Sequence, residues 1–112
     1  MVLNRKKLID LFIGNISNAI LHGILEKAIE DEVIRKYYDK EFLNSFEIAK
    51  KYREKINPVD NKLPDSSEIK DIIIKKVNNE LKIRISKGYK NIDLSLVESI
   101  TNTILSELNV NK

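Results

Sequence analysis

The residues able to do chemistry are few in this chain. It holds one histidine and no cysteine, so thiolate metal sites, disulfide frameworks and Cys nucleophiles are excluded. His22 reads as a helical residue with Asn18, Ala19, Leu25 and Glu26 at its i±3 and i±4 positions. His22 and Glu26 make half a metal site. No Glu-x-x-His of the di-iron bundle type completes it. The Arg-x4-His pair of helical ribonucleases is missing too, because Ser17 stands five residues before His22. The three glycines, Gly14, Gly23 and Gly88, are too scattered for a phosphate-cradling loop. The carboxylates are dispersed among Lys and Arg, as on solvated helix faces. The expectation is a non-catalytic protein with no metal and no cofactor.

Two constellations remain. Asn15, Asn18 and His22 form a polar row on an otherwise apolar helix, and such a row can fix register between packed helices. With Phe12, Ile16, Ile20 and Ile24 beside it, it forms a candidate homodimer or partner contact. The second constellation is Arg35, Lys36, Lys50, Lys51 and Arg53, interleaved with Tyr37, Tyr38 and Tyr52. Basic and aromatic residues alternate in this way in single-strand binders. Asp39, Glu41, Glu47 and Glu54 dilute the patch, so nucleic acid is the secondary reading. A helix-turn-helix is excluded, since the would-be recognition helix from Leu94 to Leu108 has two glutamates and no Lys or Arg.

These residues must be positioned by helices. At 112 residues, 42% of them hydrophobic, the chain is expected to be one helical domain, 1–112, with a real core. Charged residues are 33% of the chain and nearly cancel to +3. Asn4-Arg5-Lys6-Lys7 before an apolar run imitates a secretory leader. Asp10, Asn15, Asn18 and His22 interrupt that run and also count against a membrane span. A cytoplasmic protein, off the membrane, is therefore expected.

Along the chain, helical periodicity predicts four helices. The stretch from about Asn4 to Tyr37 reads as one long first helix or two helices in line. Leu8, Ile9, Phe12, Ile13, Ile16, Ala19 and Ile20 form one stripe, and Leu21, Ile24, Leu25, Ala28 and Ile29 form another, offset around the axis. Either the helix kinks near Gly23, or it stays continuous and is covered on two sides, by its own chain and by a second copy. Asp31–Arg35 and Glu32–Lys36 have the spacing of i, i+4 pairs. A second helix is predicted from Tyr38 to Ile56, and a proline-bearing loop from Asn57 to Asp65. Asp65-Ser66-Ser67-Glu68 predicts the start of a third helix. That helix runs to Lys87, although Leu81-Lys82-Ile83-Arg84-Ile85 alternates as a strand would. Gly88 is its C′ residue, Tyr89 folds back on it, and Asp93 caps a fourth helix. The fold expected is an all-α bundle of about four helices, working as a homodimer through its first helix.

Overall fold

The computed structural model describes residues 5–56 and 66–108. Four helices account for most of them: α1 (Arg5–Ala28), α2 (Glu32–Ile56), α3 (Ser66–Ser86) and α4 (Leu96–Glu107), with no strand among the described residues. The all-α bundle with a long first helix is what the periodicity predicts. Residues 81–86 are helical. Leu81 is fully buried while Ile83 and Ile85 are exposed, so the period-two alternation there is incidental to a helix. The proline-bearing segment and the capping carboxylate at 65 lie outside the described residues.

The first helix ends earlier than its sequence predicts. It is not broken at Gly23 and does not continue to Tyr37; it stops at Ala28, and α2 begins at Glu32 rather than Tyr38. The break falls at Ile29–Asp31, where Asp31 takes a different role from the predicted ion pair. Its Oδ1 accepts from the backbone N–H of Val33 (2.9 Å) and Ile34 (3.1 Å), which satisfies two of the orphan donors that start α2. Arg35 turns back instead of pairing with Asp31. Its Nε and Nη2 donate to the Ile29 carbonyl at 3.1 and 2.8 Å, closing the end of α1. One carboxylate and one guanidinium thus make the turn without glycine or proline.

Gly23 has a packing role rather than a hinge role. A Cβ at Gly23 would stand 3.3 Å from Cδ2 of Phe42, so the missing side chain is what lets the Phe42 ring lie against α1. α1 and α2 form a long antiparallel hairpin. The other helices pack on α1, which touches α2, α3 and α4, whereas α2 does not approach α3 or α4 through its backbone. α3 runs in the same direction as α1: its first turns lie beside Ile9 and Ile13, and Val77 to Arg84 lie beside Ser17 and Leu21.

This arrangement explains the two offset apolar stripes. Both are covered by the chain's own helices. Phe12, Ile16, Ala19, Ile20 and Leu25 have no exposed area and Ile24 has 1%. They meet Ala49 of α2, Ile69, Ile73, Val77 and Leu81 of α3, and Val97, Ile104 and Leu105 of α4 in one core. Each such side chain contributes about 1.5–3 kcal/mol by leaving water.

The ends of α3 and α4 are set locally. Gly88 has φ +102°. Tyr89 N–H donates to the Arg84 carbonyl (3.1 Å) and Gly88 N–H to that of Ile85 (3.0 Å), the paired bonds of a Schellman ending. Asp93 does not cap α4 directly. Its Oδ1 accepts from the backbone N–H (3.0 Å) and hydroxyl (2.6 Å) of Ser95, fixing a turn from which the helix then starts at Leu96.

Candidate functional site

The seven residues expected at a partner contact divide into two groups. Phe12, Ile16, Ile20 and Ile24 are sealed inside the chain's own core and have no surface to offer a second copy. Their placement at a dimer contact is therefore corrected: helical periodicity shows that a face is apolar, but not which helix covers it. The polar row lies at the margin of that core. Asn15 Nδ2 donates to the Leu11 carbonyl at 2.8 Å within its own helix. Asn18 Nδ2 donates to Ser45 Oγ on α2 at 2.7 Å. His22 Nδ1 donates to the Asn18 carbonyl at 2.8 Å, which fixes the tautomer with the proton on Nδ1. The His22 ring also packs 5.6 Å from that of Tyr38, centroid to centroid. Asn18 and the His22 ring thus meet α2 of the same chain, while Asn15 bonds only within α1.

The basic constellation on α2 is dispersed by the fold. Arg53 is 1% exposed and donates from Nε to the carbonyl of Leu108 at 2.9 Å, so it ties α2 to the end of α4. Burial lowers its pKa from the ordinary arginine value. A helix C-terminus is the electrostatically favourable place for such a cation. Arg35 is committed to the Ile29 carbonyl. Lys50 lies 3.9 Å from Glu47. Lys36 and Lys50 are fourteen residues apart, about 20 Å along the helix. No compact patch survives, because one member is core and another is a helix cap.

Two other surfaces stand out. The first is the outer side of α2. Only Ser45, Ala49 and Arg53 of its 25 residues are buried. Nine large apolar residues of the described chain are exposed, and five of them, Val33, Ile34, Tyr37, Leu43 and Ile48, stand on this helix. At 100° per residue Val33, Ile34, Tyr37 and Ile48 share an arc of about 100°. Tyr52, half-buried, continues the same row.

The second surface is the C-terminal half of α3 with the turn after it. Between Lys75 and Lys90 stand six basic residues, Lys75, Lys76, Lys82, Arg84, Lys87 and Lys90, and one carboxylate, Glu80. That segment carries +5, so the rest of a chain with net charge +3 carries −2. Glu80 is engaged by Arg84 at 3.0 Å. A segment-by-segment charge tally could have found this run. Glu68 and Asp71 in the first half of the same helix make α3 look balanced as a whole.

Between α1 and α3 lies an open cleft of about 350 Å³, floored by Gly14, Ser17, Asn18 and Leu21 and walled by Lys76, Asn79, Glu80 and Arg84. Among the described residues no three His, Cys, Asp or Glu side chains gather as metal ligands would. By length and composition α1 alone of the described helices could cross a bilayer, with a window of mean hydropathy 1.5. In the bundle its apolar stripes are covered by protein. No protein-family model, characterised protein or solved structure matches this chain.

Proposed function

We propose that the chain is a non-catalytic interaction module of the cytoplasm that self-associates as a homodimer through the outer side of α2. The observation that carries this reading is the concentration of exposed apolar residues on the helix that packs on the fewest neighbours. An exposed apolar row rimmed by charge marks an interaction surface more often than a scatter of single residues does. The row is also self-complementary. Residues 37 and 48 lie equally far from the point between Phe42 and Leu43. An antiparallel pairing of two α2 helices about that point sets Tyr37 of each copy opposite Ile48 of the other. It also sets Val33 opposite Tyr52, Ile34 opposite the stem of Lys51, and Glu41 opposite Asn44. No charge in these pairs stands directly opposite a like one, although the two Glu41 carboxylates flank the two-fold point.

Reading α1 as the core helix of a water-soluble domain, rather than as a span, is supported by its contacts with all three other helices. The non-catalytic reading is supported by the chain's one histidine and lack of cysteine, and by the His22 ring meeting the Asn18 carbonyl and the Tyr38 ring rather than a carboxylate. Sedimentation equilibrium between 1 and 100 µM, on the order of the concentrations at which modest interfaces form, tests the proposal. The expected result is a mass rising toward twice that of the chain, and a single-chain mass for Tyr37→Glu/Ile48→Glu with an unchanged helical circular dichroism spectrum. A strict monomer, or a dimer indifferent to that double substitution, contradicts it.

A further inference from the structure

We infer that the basic C-terminal half of α3, with Tyr89, is a binding surface for single-stranded nucleic acid. It lies on a different helix from the proposed dimer face and is independent of it. The whole positive excess of the protein is concentrated here: +5 between Lys75 and Lys90, against −2 for the remainder. The fold leaves most of this charge exposed, with Arg84 paired to Glu80. Lys75, Lys76 and Lys82 are exposed and have no ion-pair partner among the described residues. Lys75, Asn79, Lys82 and Ser86 follow i, i+4, i+7 and i+11 spacing, so they line the side of α3 turned away from the core residues Ile69, Ile73, Val77 and Leu81. The helical portion alone, Lys75 to Ser86, presents this row over about 16 Å. The Schellman turn then brings Lys87, Tyr89 and Lys90 round the end of the helix.

Tyr89 supplies what a purely electrostatic surface lacks. Tyr89 is 40% exposed, and its backbone N–H is held by the Arg84 carbonyl at 3.1 Å. That bond fixes the backbone of Tyr89 at the end of α3, a few residues along the chain from Arg84, Lys87 and Lys90. Successive bases stack on aromatic side chains without sequence preference.

The chemistry of this surface selects single strands over the other polyanions. Insertion of α3 into a duplex major groove would lead with its first turns, which expose Glu68 and Asp71 to the phosphates. An anionic bilayer would need a continuous apolar side below the lysines, and α3 exposes only Ile72, Ile83 and Ile85, with Lys75, Lys76, Asn79 and Lys82 between the first two. A single strand needs neither a groove-shaped helix nor an apolar band.

The test is fluorescence anisotropy of a labelled fifteen-nucleotide oligothymidylate and of a mixed-sequence RNA of the same length, titrated with the full chain. Binding is expected at 50 mM salt, with affinity falling on the order of 50-fold by 200 mM if about four phosphates are contacted. Lys75→Glu/Lys76→Glu/Lys82→Glu, all solvent-facing, is expected to abolish binding while leaving the helical spectrum unchanged. Tyr89→Ala is expected to cost on the order of 5- to 150-fold at constant salt slope, the range of one stacked base. The matched reversal on α2 away from the dimer row, Lys36→Glu/Lys40→Glu/Lys50→Glu, is expected to weaken binding only two- to three-fold through long-range charge, on the order of what screened surface charge does. Four results overturn the inference: no binding at 50 mM salt, equal loss from the α2 reversal, duplex bound as tightly as single strand, or tighter capture by vesicles containing phosphatidylserine.

Discussion

α1 and α2 are of nearly equal length and pack along each other, yet they are used in opposite ways. α1 is the more apolar helix and spends its apolar residues inside, with eleven of its 24 residues buried. α2 buries only three of 25 and leaves Val33, Ile34, Tyr37, Leu43 and Ile48 in water. The more hydrophobic helix therefore has the less free apolar surface. In a four-helix chain this small, the first claim on an apolar helix comes from its own neighbours, and surplus surface appears on the helix that covers the fewest of them. Surface for a partner is better sought on an amphipathic helix whose outer side retains large apolar residues than on the helix of highest hydropathy.

Substitutions along the two helices can break that contrast. Phe12→Ala on α1 is expected to cost about 3–5 kcal/mol of unfolding free energy, measured by urea denaturation, since it empties a site with no exposed area. Tyr37→Ala on α2 is expected to change the stability of the dilute chain by about 0.5 kcal/mol or less, because its side chain is 58% exposed. Comparable losses at both sites would erase the distinction. Arg53, one turn from Ala49, is a place where α2 belongs to the interior. Arg53→Met keeps the bulk and removes the charged donor to the Leu108 carbonyl. It is expected to cost about 1.5–3 kcal/mol in the same assay.

The glycines of α1 sharpen the comparison on a smaller scale. No atom lies within 4 Å of a Cβ at Gly14, whereas one at Gly23 meets the Phe42 ring at 3.3 Å. Gly14→Ala is expected to stabilise the protein by about 0.5–1 kcal/mol through helix propensity. Gly23→Ala is expected to gain less or to lose, since the α2 ring must move. The thermal midpoints of the two variants, compared side by side, check this.

The smallest effect concerns pH. Burial, helped by the hydrogen bond to Tyr89, raises the Tyr38 hydroxyl above the ordinary tyrosine pKa of 10.0. The folded state then holds this proton more tightly than the unfolded chain. The contribution is complete below pH 10 or so and is lost as pH rises through the raised value. Stability should fall less steeply above that pH in Tyr38→Phe than in the parent, as denaturant midpoints across the alkaline range would show.

Much of the fold was legible in the sequence. The spacing of Ile69, Ile73, Val77 and Leu81, and Gly88 followed by Tyr89, gave α3 and its ending almost to the residue. The α1–α2 boundary was harder to read because Glu30-Asp31-Glu32 and Arg35-Lys36 suit a continuing helix as well as a turn. Asp31 can pair with Arg35 or cap the next helix, and only the direction of the following chain decides which. Phe12, Ile16, Ile20 and Ile24 were misassigned to a contact surface for a related reason. An apolar stripe in sequence carries no label for what covers it, and Phe12, Ile16, Ile20 and Ile24 were claimed by α2, α3 and α4. Arg53 reads as a surface cation in sequence. It lies inside because the Leu108 carbonyl, 55 positions away, needs a donor.

The most direct test of the α1–α2 contrast uses the absence of cysteine, since any introduced thiol is unique. Ala19→Cys places one on α1 where no area is exposed, and Ile48→Cys places one on the outer row of α2, 43% exposed. Thiol-labelling rates are measured for both variants as protein concentration is raised. The expected result is slow labelling at position 19 at every concentration, with labelling at position 48 fast when dilute and slowing as copies associate. A rate at position 48 that does not depend on concentration, or fast labelling at position 19, would contradict it.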